Sequence, residues 1–70
     1  MKEKVINEVH ALRMKKGITQ EELADHVGVS RQTIISIEKG NYVPSVLLAL
    51  KISTFFQLSV EKVFTVHYEK

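Results

Sequence analysis

The sequence has no cysteine and no tryptophan, one proline and three glycines among 70 residues. Without cysteine there is no disulfide staple and no thiolate metal site, and nothing points to an oxidising compartment. No apolar run approaches the roughly 20 residues a membrane-crossing helix needs. Met1-Lys2-Glu3-Lys4 is charged and no apolar stretch follows it. Neither a secretory leader nor a membrane span is expected, and the expected location is cytoplasmic. A strong charge of one sign is also missing: ten Lys and Arg stand against eight Asp and Glu, for a formal net charge of +2. Residues 1–40 hold seven basic and six acidic side chains and the remainder three and two, so any basic patch must be assembled by folding. There is no Ser, His and Asp arrangement, carboxylate pair or glycine-rich phosphate loop, and His10, His26 and His67 lack ligand spacing. An enzyme, a metal site, a cofactor and a small-molecule ligand are therefore not expected.

What is present is 44% apolar residues, enough for a globule and too many for a disordered chain. Seventy residues allow one domain, 1–70, and a chain of this size buries only about 60% of its unfolded surface. With no staple available, an efficient helical core or a second copy must supply the rest of the stability.

The segment Gln20 to Lys39, Q-E-E-L-A-D-H-V-G-V-S-R-Q-T-I-I-S-I-E-K, carries the most information. Thr19 and Glu22 form a T-x-x-E capping box, so a helix starts near Gln20. Leu23, Ala24 and Val27 share one face of it. Ala24 is small where two helices would approach closely. Gly28 follows the last turn, where a positive φ is wanted. Val29 fills the corner, and Ser30 caps a second helix whose Ile34 and Ile37 face inward. Gly40 and Asn41 end that helix, and Pro44 prevents its continuation. Helix, glycine turn and helix is the helix-turn-helix pattern.

Leu12 to Phe64 resembles the phage-repressor and Cro-type (XRE-type) helix-turn-helix family. The resemblance rests on Leu12-Arg13, Gly17-Ile18-Thr19-Gln20, Glu22-Leu23-Ala24, Gly28 to Ile34, Ile37-Glu38 and Pro44-Ser45. It implies an all-α, five-helix repressor-type domain with its helix-turn-helix core at 20–39. It also implies a DNA-binding transcriptional regulator, most simply a repressor, with helix 30–39 in the major groove of double-stranded DNA. Arg31 and Gln32 then match base-reading positions; Arg suits guanine O6 and N7, and Gln suits adenine N6 and N7. Arg31 touching only phosphate is the alternative. Ile35 departs from the family's small polar residue and is expected to meet a thymine methyl, unless a neighbouring helix covers it. Ser36 completes the base set. Thr19, Gln20, Ser30, Thr33, Lys39, Asn41 and Tyr42 form the expected phosphate set. Thr33 and Ser36 have a plain solvent-facing role as the alternative. The resemblance makes Glu38 structural, paired with Arg13.

Outside the core pair, a first helix is expected from about Asn7 to Lys16, with Asn7 as N-cap and Ile6, Val9 and Leu12 facing inward. Ser45 opens a fourth helix to about Phe56. Its apolar face is broad (Val46, Leu47, Leu48, Leu50, Ile52, Phe55 and Phe56), so burial on more than one side is expected. Ser59 caps a short fifth helix, Val60 to Val63. Phe64 to Glu69 alternates like a strand, and Lys2 to Ile6 is its expected antiparallel partner, with two frayed tails as the alternative. Phe55, Phe56, Leu58, Val63, Phe64, Val66 and Tyr68 are more apolar side chains than one small core needs. They are the expected homodimer interface, within a dimerisation region at about 46–68. Completion of the monomer core is the other reading. Two copies would read an inverted-repeat operator. The rival function is a protein-interaction module, such as an antitoxin or a restriction-system controller that binds DNA with a partner protein.

Overall fold

The first helix begins two residues later than its sequence predicts, because Asn7 belongs to a strand. The computed structural model describes residues 2–69 and runs β1 (Lys2–Asn7), α1 (Val9–Lys16), α2 (Gln20–Val27), α3 (Arg31–Glu38), α4 (Val46–Phe55), α5 (Val60–Val63) and β2 (Phe64–Glu69). The Asn7 side chain still works at the helix start. Its Oδ1 accepts from the Val9 N–H at 3.1 Å and its Nδ2 donates to the Ile37 carbonyl at 3.0 Å. Asn7 therefore ties the end of the strand to both α1 and α3.

The five helices close around Val9, Leu23, Ala24, Val27, Ile34, Ile37, Leu48, Ile52 and Val63, all buried. Leu12, Ile18, Val29, Phe55, Phe56 and Phe64 pack around that set. Ile34 and Ile37 are fully buried, as their spacing predicts, whereas Ile6 is 41% exposed and outside the core. Ala24 is 1% exposed on α2, and α2 meets α3 more extensively than any other helix pair meets. Replacing Ala24 with Leu should overpack this contact and cost about 1–3 kcal/mol, read as a lower urea midpoint. An unchanged midpoint would mean that the helices have room to spare.

α4 departs from expectation. Leu48, Ile52 and Ser53 are buried, but Val46, Leu47 and Leu50 are 77%, 65% and 48% exposed. Only one side of this apolar helix is covered by its own chain. Val63 also corrects its expected role. At 1% exposure it is core, because α5 is docked by the Glu8 N–H on the Val63 carbonyl at 2.9 Å, and it is not available to a dimer seam. Ser59 stands at the N-cap of α5 without a side-chain capping bond.

β1 and β2 form the antiparallel ribbon, with Lys2 opposite Glu69, Val5 opposite Val66 and Asn7 opposite Phe64. Partners directly opposite share a face, and faces alternate along each strand. Asn7, Val5 and Phe64 therefore mark the face turned to the helices, which also carries Val66 and Tyr68. Lys2, Lys4, His67 and Glu69 lie on the other face, where Lys4 pairs with Glu69 at 3.2 Å. Val66 and Tyr68 remain 53% and 57% exposed, so the ribbon overhangs the helical body. Among the described residues, no helix is long and apolar enough to cross a membrane.

Candidate nucleic-acid interface

Local chemistry sets the α2–α3 pair. Thr19 Oγ1 accepts from the Glu22 N–H at 3.0 Å, and Glu22 Oε1 accepts from the Thr19 N–H at 2.9 Å, completing the capping box. The backbone bond and the Thr19 hydroxyl hold the Glu22 carboxyl below its ordinary value. Gly28 adopts φ 76°, a left-handed conformation that a β-carbon would strain. The Gly28 and Val29 N–H groups return to the Ala24 carbonyl at 2.8 and 3.0 Å, and the chain reverses into α3. Ser30 Oγ accepts from the Thr33 N–H at 3.2 Å and lies 3.0 Å from Thr33 Oγ1.

Of the residues expected to meet DNA, Ser30, Gln32, Thr33, Ser36, Asn41 and Tyr42 line one shallow groove. Arg31 stands beside it, exposed on the first turn of α3 with Gln32. Ile35 and Ser36 are half-buried one turn on. Lys39 is separate from this groove: it lines a different hollow with Lys4, Ile6 and Val43, beside β1. Thr19 is exposed, but its hydroxyl and N–H are both engaged in the cap. Gln20 is half-buried, and its amide Nε2 donates to Glu38 Oε1 at 3.1 Å.

That last bond belongs to a network beneath the interface. Arg13 Nε donates to Glu38 Oε2 at 2.7 Å, Arg13 Nη2 to Glu38 Oε1 at 3.0 Å, and Arg13 Nη1 to the Ile18 carbonyl at 3.0 Å. The two side chains are 9% and 6% exposed. Burial pushes the Glu38 carboxyl up, but hydrogen bonds from Arg13, Gln20 and His10, with the Arg13 charge, outweigh it and hold the group below its ordinary value. The Glu38 hydrogen bond raises the Arg13 guanidinium in turn. One carboxylate at the end of α3 thus ties down α1 and the first residue of α2.

A family model described as helix-turn-helix matches residues 9–63. The chain belongs to the Cro/C1-type helix-turn-helix family. It is 52% identical over 63 residues to the uncharacterized HTH-type transcriptional regulator YgzD of Bacillus subtilis, covering 90% of this chain and 96% of the relative. An uncharacterized HTH-type transcriptional regulator of Methanocaldococcus jannaschii is 52% identical over 58 residues, with 83% and 88% covered. Among solved structures, the restriction-modification controller protein C.AhdI of Aeromonas hydrophila superposes with a TM-score of 0.73 at 29% identity, over 79% of this chain and 83% of that one. Its relatives are thus named as transcriptional regulators, and the family binds double-stranded DNA.

Membership in this helix-turn-helix family fits the charge around the groove. α3 has no acid in its first turn, where Arg31 stands, while α2 carries Glu21 and Glu22 in its own. The start of α3 therefore sets no acidic side chain of its own against an anion. His10 was missed from the sequence. It is exposed, yet its Nδ1 lies 3.2 Å from Glu38 Oε1 and 3.1 Å from Arg13 Nη2. The i, i+3 spacing of His10 and Arg13 on α1 was the only available signal.

Proposed function

We propose that this chain is a sequence-specific DNA-binding transcriptional regulator that acts as a repressor. It lays α3 in the major groove and binds an inverted-repeat operator as a homodimer. The observation that carries this reading is the exposed first turn of α3. Arg31 and Gln32 are exposed there at a groove lined by polar side chains, and a buried ion pair ties down the far end of the helix. Arg31, Gln32, Ile35 and Ser36 are assigned to base edges. Ser30, Thr33, Asn41 and Tyr42 are assigned to phosphates, with Thr19, Gln20 and Lys39 at the margins. Affinity should fall steeply with salt as phosphate neutralisation releases counterions.

The case for two copies rests on uncovered apolar surface. The helix-facing side of the ribbon leaves Val66 and Tyr68 in water, with Leu58 exposed nearby in sequence. An isolated ribbon is marginal without cover. Phe55, Phe56 and Phe64 already lean on the core and contribute only their outer edges. Val66→Asp should give a folded monomer by sedimentation, with operator affinity down ~100-fold or more through lost avidity. A dimer that survives the substitution places the seam elsewhere.

Selection of bound duplexes from a random library tests the whole reading. An enriched inverted repeat, with half-sites about 34 Å apart, is expected. Enrichment without symmetry would sink the homodimer, and no binding at all would leave a protein-interaction module in place of a DNA reader. The likeness to C.AhdI supports a second reading within the same chemistry, control of a restriction-modification system. An operator lying upstream of such genes would separate the two.

A further inference from the structure

The network under the interface contains one titratable group that the DNA-binding reading leaves without a task. We propose that His10 is a positioning residue for DNA binding, whose proton decides, through Glu38, whether the Gln20 amide is held inward or released to a backbone phosphate. The inference rests on the proposed function and adds a regulated step to it.

The geometry is one of competition. Glu38 Oε1 lies 3.0 Å from Arg13 Nη2, 3.1 Å from Gln20 Nε2 and 3.2 Å from His10 Nδ1. A carboxylate oxygen offers two lone pairs, so three donors cannot all be well served. A neutral ring with its hydrogen on Nε2 resolves the conflict. Its Nδ1 accepts from Arg13 Nη2 at 3.1 Å and leaves Oε1 to Arg13 and Gln20. A protonated ring carries hydrogen on both nitrogens, so Nδ1 can no longer accept from Arg13; with the Oε1 carboxylate oxygen 3.2 Å away it donates there, and one rival yields. Arg13 is anchored twice more, at Glu38 Oε2 and at the Ile18 carbonyl. Gln20 has the single bond, so Gln20 is displaced.

Among the described residues, the charged groups within hydrogen-bond distance of the ring are Glu38 from α3 and Arg13 from α1, while Gln20 from α2 is neutral. A new positive charge on His10 meets one of each sign, and those two effects oppose each other. The exchange of donors at Oε1 is what remains. Gln20 is the first residue of α2 and is half-buried, so a freed amide needs only to rotate outward. DNA affinity then rises as the ring takes up its proton.

Two measurements test this. In the free protein, the Gln20 side-chain amide resonances should shift with pH in step with the His10 ring. They should stop doing so in His10→Gln. DNA is absent from that measurement, so its failure overturns the inference whatever the DNA result. On an operator, affinity should rise roughly two- to fivefold between about pH 8 and pH 5.5, the scale of one exposed charge-assisted contact. His10→Gln should remove that increment. Gln20→Ala should remove it as well. An unchanged response in His10→Gln overturns the inference. So does a response that survives in Gln20→Ala, because the ring would then act by charge alone. Amide coupling in a protein that binds no DNA would instead overturn the DNA reading.

Discussion

Glu38→Ala should lower the unfolding free energy by about 3–5 kcal/mol. A chain of this length has roughly 4–10 kcal/mol in all, so the variant should lose at least about a third of its stability. The loss is large because of what stays behind. Arg13 is 7% exposed and keeps its charge, but retains only neutral partners, the Ile18 carbonyl and the His10 ring nitrogen. The Gln20 amide loses its acceptor at the same time. Urea unfolding followed by circular dichroism gives the number. A loss below about 1 kcal/mol would mean that water reaches the pair as it would a surface ion pair. A double replacement, Arg13→Met with Glu38→Leu, should recover most of the loss, since two apolar side chains of similar volume leave no orphaned charge. The same carboxylate sets the acid limb of stability. Its folded value lies below the ordinary 4.5, so its contribution is complete above that pH and disappears as pH falls through the folded value. Glu22 and Glu61 are shifted in the same direction but are exposed, and contribute less. Glu38→Gln should therefore flatten the fall in stability below about pH 4.5.

How far the fold could be read from the residues follows from the range of the interactions. The Thr19–Glu22 box, the Gly28 turn and the Ser30 cap are complete within four residues, so sequence alone locates both helices of the pair. The alternation of Phe64 to Glu69 likewise marks a strand. Asn7 shows where local chemistry is ambiguous. An N-cap side chain was expected there, and it does bond the Val9 N–H, but pairing with Phe64 draws its backbone into the ribbon. Periodicity identified the apolar face of α4 but not its cover, because a helix records only that a side is apolar. Val46, Leu47 and Leu50 are consequently in water while Val63, assigned to a seam, is core. The contacts of Gln20 and His10 with Glu38 span 18 and 28 residues, and no short-range pattern encodes them. Six of the residues singled out from the sequence do line one groove, whereas the shared carboxylate of Glu38 became visible only in the fold.

Replacing Arg31 and Gln32 together with Ala should abolish operator recognition while leaving the fold intact. Each good bidentate base contact is worth about 1–3 kcal/mol of discrimination, so the pair should lose roughly 2–6 kcal/mol, or at least thirtyfold in affinity for the selected site. Stability should scarcely change. Both side chains are exposed, neither makes a hydrogen bond within the chain among the described residues, and the cap of α3 comes from Ser30. The single variants distinguish what each residue reads. Gln32→Ala should relax preference at one base pair while the salt dependence of binding stays as it was. Arg31→Ala should do the same if Arg31 reads a guanine. If Arg31 lies against phosphate, affinity should fall equally on all sequences and the salt slope should drop by about one phosphate contact. A double variant that still binds the selected operator at full strength would place recognition outside α3.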